Sequence, residues 1–334
     1  MSLINALNSG KGALMPSNVK RTLASRLSSG NATVPEARNV LLNWTISSMP
    51  QIAEMHGVSG QETDSLQHYR FGFHQAERLI ERAGLPKLSP DSREMLALFT
   101  GVHDMGRLMV GSGASADKYG ASGNFLHPIA GAIMLREAFD PIAERSSSDL
   151  QKLFYALVMT AERHTLSYGL PASIVDAQGI HLIDQEPYMG YKGPLFLADV
   201  SLGEYSRFAH LVALADLINN VDQKLSGVKL YDPLVNDAVS QDPEVRIRYM
   251  MDGPGVGEFE VRPAEKEESL RVNRLWRNGA ALQEQGAGIA AWLEQMEADA
   301  LRFTTDSERE GSEDAFWFGV HRAGLDSFGF EDKE

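Results

Sequence analysis

The chain of 334 residues contains no cysteine. That absence excludes a disulfide framework, a thiolate nucleophile, a zinc finger and an iron–sulfur centre. Any metal site must therefore draw on His, Asp and Glu. Long hydrophobic runs are missing too. The most apolar stretch, Phe208–Ile218, is interrupted by His210 and Asp216, and it falls short of the roughly 20 apolar residues a spanning helix needs. Met1–Gly12 lacks the basic segment and apolar run of a secretory leader. No membrane span and a cytoplasmic location are the expectations. Positive charge is scarce, with 31 Lys+Arg against 45 Asp+Glu and a net charge of −14, which argues against a protein that grips nucleic acid through its overall field. Much of the excess sits at one end, because residues 305–334 carry nine acids and three bases. The nucleophile elbow GxSxG, the Walker A loop and the HExxH zinc motif are all absent. Gly253-Pro-Gly-Val-Gly257 reads as a turn, since it follows no clear strand and opens no helix.

What remains is mostly helical periodicity, and the predicted fold class is mainly α. Helices are predicted over 17–28, 34–48, 65–84, 89–110, 128–139, 149–163 and 204–224, with a further helical pair in 266–302. Strand signals are confined to Phe196–Val200 and to Gly257–Arg262, the latter suited to one arm of a small hairpin. The Gly/Ser/Ala-rich segment Gly111–Gly123, with Asp117, Lys118 and Tyr119, is read as a loop with the composition of a lid.

The informative residues are polar ones placed where the apolar pattern says core. At about 100° per residue, Phe71, Ala76, Leu79, Ile80 and Ala83 form a stripe with His68 at its edge. His74 falls roughly 240° away, toward solvent or another surface. The apolar run Met95–Val102 leads straight into His103-Asp104, and Asp216 is flanked by Ala213, Leu214, Ala215, Leu217 and Ile218. His164 closes the apolar helix Leu153–Ala161, and His127 stands before Pro128 at an expected helix N-cap. A single imidazole in such a setting is usually a hydrogen-bonded core residue. Four imidazoles and two carboxylates, each closing or interrupting an apolar segment, are costly to bury unless they are paired or hold a cation. His68, His103, Asp104, His127, His164 and Asp216 supply enough nitrogen and oxygen ligands for two divalent ions of the Fe, Mn, Ni, Zn or Mg type, with Asp104 as the natural bridge. His56, twelve residues before His68, could approach the site from a loop but is expected at the surface, and His181, His210 and His321 have no supporting context.

These residues also carry a family resemblance. The order His68, then His103-Asp-Met-Gly-Arg107, then Asp216 resembles the HD superfamily of metal-dependent phosphohydrolases. His127-Pro128-x-x-Gly131, Glu162-Arg-His164 followed by Tyr168-Gly-Leu-Pro171, and Val212-Ala-Leu-Ala-Asp216 are similar to stretches of its HD-GYP cyclic-dinucleotide phosphodiesterase branch. The likeness covers about residues 65–224. It departs from that branch at Arg163-His164, where paired histidines are usual, so one expected ligand is missing. The set of four histidines and two aspartates is also similar to the mixed-valent diiron oxygenases of the same superfamily.

The resemblance implies an HD-type helical bundle with flanking helices, organised as an N-terminal helical extension (1–60), a metal-binding domain (61–225), a C-terminal helical region with a hairpin (226–303) and an acidic tail (304–334). It implies that His68, His103, Asp104 and Asp216 hold one ion while Asp104, His127 and His164 hold the other. Asp104 and Arg107 are then the expected catalytic residues, and Arg107, Arg163 and Asn219 the expected contacts to substrate. The expected activity is hydrolysis of a small-molecule phosphoester or nucleotide. The alternatives are oxygenase chemistry, or a nucleotide-sensing signalling module. The flanking helices are expected to cover the bundle or to form a homodimer interface.

Overall fold

The computed structural model describes residues 14–27, 32–58, 60–82, 84–111, 121–164, 173–176, 179–182, 228–231, 242–252 and 260–263, with single positions between 205 and 216 and Val235. The mainly helical expectation holds. In chain order the helices are α1 (Ser17–Leu27), α2 (Val34–His56), α3 (Gln61–Arg82), α4 (Pro90–His103), α5 (Arg107–Val110), α6 (Ala121–Ala143), α7 (Ser148–Arg163) and α8 (Pro243–Asp252). Two short antiparallel pairs accompany them. Strand β1 (Ser173–Asp176) pairs with β2 (Gly179–Leu182), and β3 (Val228–Tyr231) with β4 (Glu260–Pro263). β4 overlaps the hairpin arm expected at 257–262, whereas Phe196–Val200 lies outside the described residues.

Helix α2 starts at a capping box, in which Thr33 and Glu36 satisfy each other's backbone groups, and Pro35 sits in the first turn, where its missing N–H costs little. It ends at Gly57, whose φ of 70° is left-handed and whose N–H returns to the carbonyls of Ala53 and Glu54. The helix runs eight residues past the predicted end at Ser48, straight through Pro50. Burial of Met49, Ile52 and Ala53 explains this, because packing on both sides of the proline outweighs the hydrogen bond it removes. Its buried positions, among them Leu41, Leu42, Trp44 and Ile46, surround the helix rather than form a stripe, as befits an inner element.

Helices α2 and α4 form the centre. α1, α3, α5, α7 and α8 pack on α2, while α3, α6, α7 and α8 pack on α4. The ring of Phe139 stacks on Phe154 at 4.9 Å and tilts against Trp44 at 5.9 Å, tying α6 to α7 and α2. Trp44 also donates from its indole N–H to the carbonyl of Val19, which fixes α1 on the outside.

Two departures from the predicted helices shape the site. The stretch 89–110 is not one helix. At Asp104 the backbone leaves helical geometry (φ −111°, ψ 20°), a turn runs through Gly106, and the short α5 begins at Arg107. His127 is not an N-cap, because α6 begins at Ala121 and carries both His127 and Pro128 in its interior. Of the segment expected as a lid, residues 112–120 lie outside the described residues and 121–123 are already helical.

Candidate metal centre

Three of the six site side chains, His103, Asp104 and His164, stand where a helix ends. His68 projects from the middle of α3, His103 is the last residue of α4, and Asp104 is its C-cap. His127 comes from α6, and His164 is the C-cap of α7. Asp216 is helical and buried, like the other described positions between Tyr205 and Ala215.

The six converge as two groups, His68–His103–Asp216 and Asp104–His127–His164, each with ligand atoms close enough to share one metal ion. In the first, Nε2 of His68 lies 2.8 Å from Asp216 Oδ1 and 3.3 Å from His103 Nε2. In the second, Nε2 of His127 lies 3.0 Å from Asp104 Oδ1 and 3.1 Å from His164 Nε2. Asp104 faces both groups, with Oδ2 3.8 Å from His68 Nε2 and Oδ1 3.5 Å from His164 Nε2.

The imidazoles are oriented by their own helices. Nδ1–H of His103 donates to the Thr100 carbonyl at 2.5 Å, and Nδ1–H of His164 donates to the Ala161 carbonyl at 2.8 Å. A carbonyl only accepts, so in each neutral ring the proton sits on Nδ1 and Nε2 offers a lone pair. Each lone pair faces a second Nε2, that of His68 or His127, whose one proton is also claimed by a carboxylate oxygen, Asp216 Oδ1 at 2.8 Å or Asp104 Oδ1 at 3.0 Å. One divalent cation in place of each shared proton would satisfy every nitrogen. Asp104 Oδ1 makes the same point, since it is buried and accepts no hydrogen bond despite three nitrogens within 3.5 Å. The donor set thus fits metal. Oxygen and imidazole nitrogen together suit several first-row ions.

Electrostatics agree with ligand duty. Burial pushes His127 down to about 3, with Arg107 adding to the effect, and burial also lowers His103. Both rings are neutral near pH 7. For His68 burial again disfavours charge, but its hydrogen bond to Asp216 and the charges of Asp216 and Asp104 prevail, so its pKa is raised. Burial also opposes ionisation of Asp104, yet the charges of His127 and Arg107 hold it well below the usual carboxylate range. Asp216 is lowered in spite of its burial by its histidine neighbours, His103 and His68.

Family models, curated proteins and solved structures offer no match to this chain. The site therefore rests on its own geometry.

Arg107 reaches back from α5 so that its Nε lies 3.4 Å from Asp104 Oδ1. Its side chain is 21% exposed and that of His68 is 22%, whereas the other five ligands are at most 10%. The site opens where these two residues stand. The side chain of Arg163 and all of Asn219 lie outside the described residues. His74, expected on the far side of its helix, packs there against Phe73 and Glu77. His56 has no part in the cluster, because its Nε2–H donates to the Leu14 carbonyl at 2.7 Å. His181 lies in β2, opposite Ile174.

Three supporting features were not anticipated from the sequence. The carbonyls of Thr100 and Ala161 could have been found from the three-residue spacing to a histidine at a helix end. The buried ring of Tyr69, 5.5 Å from that of His103, follows a ligand directly in sequence but gave no signal among other apolar residues. The third is the close approach of the Gly106 backbone to His127 and Gly131 of α6.

Proposed function

We propose that this protein is a metal-dependent phosphohydrolase of the HD type, acting on a nucleotide or another small phosphoester. The observation that carries the reading is the pair of His/Asp groups facing one Asp104, with a guanidinium at their open side. The sequence likeness of His103-Asp-Met-Gly-Arg107 to the HD motif supports it further. His68, His103 and Asp216 would hold one divalent ion, and Asp104, His127 and His164 the other, with Oδ2 of Asp104 turned toward the first. When bound, such ions supply a water of lowered pKa as nucleophile and neutralise charge on the phosphoryl oxygens.

The rest falls to the chain itself. Ionised Asp104 and Asp216 provide the negative charge that holds divalent cations among the four imidazoles. Thr100 and Ala161 keep two of those imidazoles in the ligating tautomer. Burial of His103, His127 and His164 closes the inner side of the site to bulk water. Arg107 supplies a planar pair of donors for phosphate oxygens at the open side, a geometry lysine does not match.

The test is metal analysis of the native protein, followed by a phosphoester panel in Mn²⁺, Ni²⁺ and Fe²⁺ with and without oxygen. Release of phosphate or of a nucleoside monophosphate in both atmospheres supports the hydrolase. Turnover only with oxygen, together with a mixed-valent diiron resonance, would assign the oxygenase chemistry instead. A nucleotide bound tightly and returned intact would mark a sensing module. Protein with no stoichiometric transition metal would overturn the metal reading.

A further inference from the structure

Arg107 stands where it both completes the site and competes with it. Its Nε is 3.4 Å from the same Asp104 oxygen that lies 3.0 Å from His127 Nε2 and 3.5 Å from His164 Nε2. That oxygen accepts no hydrogen bond from any of the three. The guanidinium and a cation ligated by His127 and His164 would therefore claim the same carboxylate oxygen. A guanidinium this close to Asp104 Oδ1 opposes, by like charge, a divalent ion bound at the same oxygen, and the ion's double charge wins that oxygen.

We infer that Arg107 is the resident counter-ion of Asp104, that a divalent cation at the Asp104–His127–His164 group displaces it, and that displacement turns its guanidinium toward an incoming phosphate-like anion. The inference rests on the metal reading above but not on the hydrolase assignment. Geometry gives the displaced side chain somewhere to go. Arg107 is 21% exposed beside a site whose other open member is His68, so rotation away from Asp104 leaves the guanidinium at the mouth. Without metal at that group, Arg107 stays on Asp104 and phosphate meets a weakened site. Metal loading and anion binding are thereby linked through one side chain, and the linkage is reciprocal.

Chelator-competition titration of the full chain with Mn²⁺ alone, then with inorganic phosphate added, tests this. In Arg107→Gln one of two metal equivalents is expected to bind tighter by about tenfold, because a competing charge is gone. Phosphate affinity of the loaded variant is expected to fall by a similar factor. Arg107→Lys keeps the charge, so its metal affinity should stay near that of the native protein while phosphate binding weakens. In the native protein, phosphate should tighten the second equivalent, and Arg107→Gln should lose most of that coupling. Unchanged or weaker metal binding in Arg107→Gln would overturn the inference while leaving the metal site standing. Should that variant not fold, equal metal affinity of the native protein with and without phosphate would overturn it too. Native protein that takes up no Mn²⁺ removes the metal reading and this inference together.

Discussion

Replacing Gly106 with alanine should empty one of the two metal groups and leave the other in place. Gly106 has φ −63° and ψ −22°, a conformation open to any residue, so no glycine is needed on conformational grounds. Taken alone, the change would stabilise by about 0.4–1 kcal/mol, through the smaller entropy of the unfolded chain. The structure reverses that sign. A methyl group there would overlap the carbonyl oxygen of His127, 2.7 Å from the carbonyl carbon and 2.8 Å from the Gly131 nitrogen. These atoms are the acceptor and donor of one turn of α6, so no side-chain rotation relieves the clash. The α4–α5 turn and α6 must part by on the order of 1 Å to reach ordinary contact. Overpacking of this kind costs about 1–3 kcal/mol. The displacement acts on the site directly. Asp104 lies two residues before Gly106, and its Oδ1 is 3.0 Å from His127 Nε2, whereas ligand distances tolerate only about 0.2 Å. The expected variant therefore unfolds at lower urea with unchanged slope and loses the Asp104–His127–His164 ion while keeping that of His68–His103–Asp216. Metal stoichiometry by mass spectrometry and urea titration followed by circular dichroism read both effects. Gly131→Ala is the control, with its nearest neighbours at 3.1 and 3.5 Å, and should be milder. A Gly106→Ala protein as stable as the native chain, with full metal content, would refute the argument.

Other outcomes follow from the same distances and charges. Asp104→Asn retains shape but removes the charge that faces both groups, so metal content in dialysed protein should fall more than tenfold, on the order of losing one charge-assisted ligand. In metal-free protein, His103 and His127 resist protonation when folded but accept protons when unfolded. Their lowered values therefore contribute stability that is fully present above the ordinary histidine value of 6.5 and is lost as pH falls toward about 3, the folded value of His127. The slope is about 1.4 kcal/mol per pH unit for each ring across that window, whereas His68, whose value is raised, contributes stability fully present below 6.5 and lost only as pH rises above it. Urea midpoints of the apo protein at a series of pH values should show this decline, and a flat profile would contradict the burial of these rings. Arg93 joins Glu77 of α3 to Asp252 and to the Met251 carbonyl of α8. Because its side chain is 30% exposed, Arg93→Ala should cost only about 1 kcal/mol, but it should speed amide exchange in α8 while leaving metal content intact. Trp44→Phe removes a second donor from the helical Val19 carbonyl and opens a gap beside Phe139, so a loss of about 2 kcal/mol is expected in the urea midpoint.

The ligands were legible in the sequence because burying an imidazole or carboxylate is costly, and each one interrupts a pattern that would otherwise be plain core. His103-Asp104 ends the run Met95–Val102, and His164 follows a helix whose Leu153, Leu157 and Ala161 are all buried. Periodicity along one helix cannot report what happens between helices. It missed the break at Asp104 because residues 105–110 remain apolar enough to continue α4, and only the approach of α6 onto Gly106 forces the turn. It placed His127 at a helix start because Pro128 usually belongs there. In the fold α6 begins earlier, and the proline costs little because the backbone nitrogen it removes from hydrogen bonding is set against buried contacts of Ala130, Met134 and Leu135.

The same division explains why metal affinity and fold stability should respond to different residues. Asp104 is held by its position at the end of α4, whereas its partners His127 and His164 come from a helix pair whose own contact is the stacked ring pair of Phe139 and Phe154. A change in that aromatic pair is felt first as stability. It reaches the ligands by shifting α6 against α7, and so acts on the 3.1 Å separation of His127 and His164 rather than on the position of Asp104. A change at the Gly106 contact moves α6 against α4, and so separates Asp104 from both histidines at once. The weakest joint of the site is therefore the glycine contact that sets one helix pair against the other, rather than any one of the six ligands.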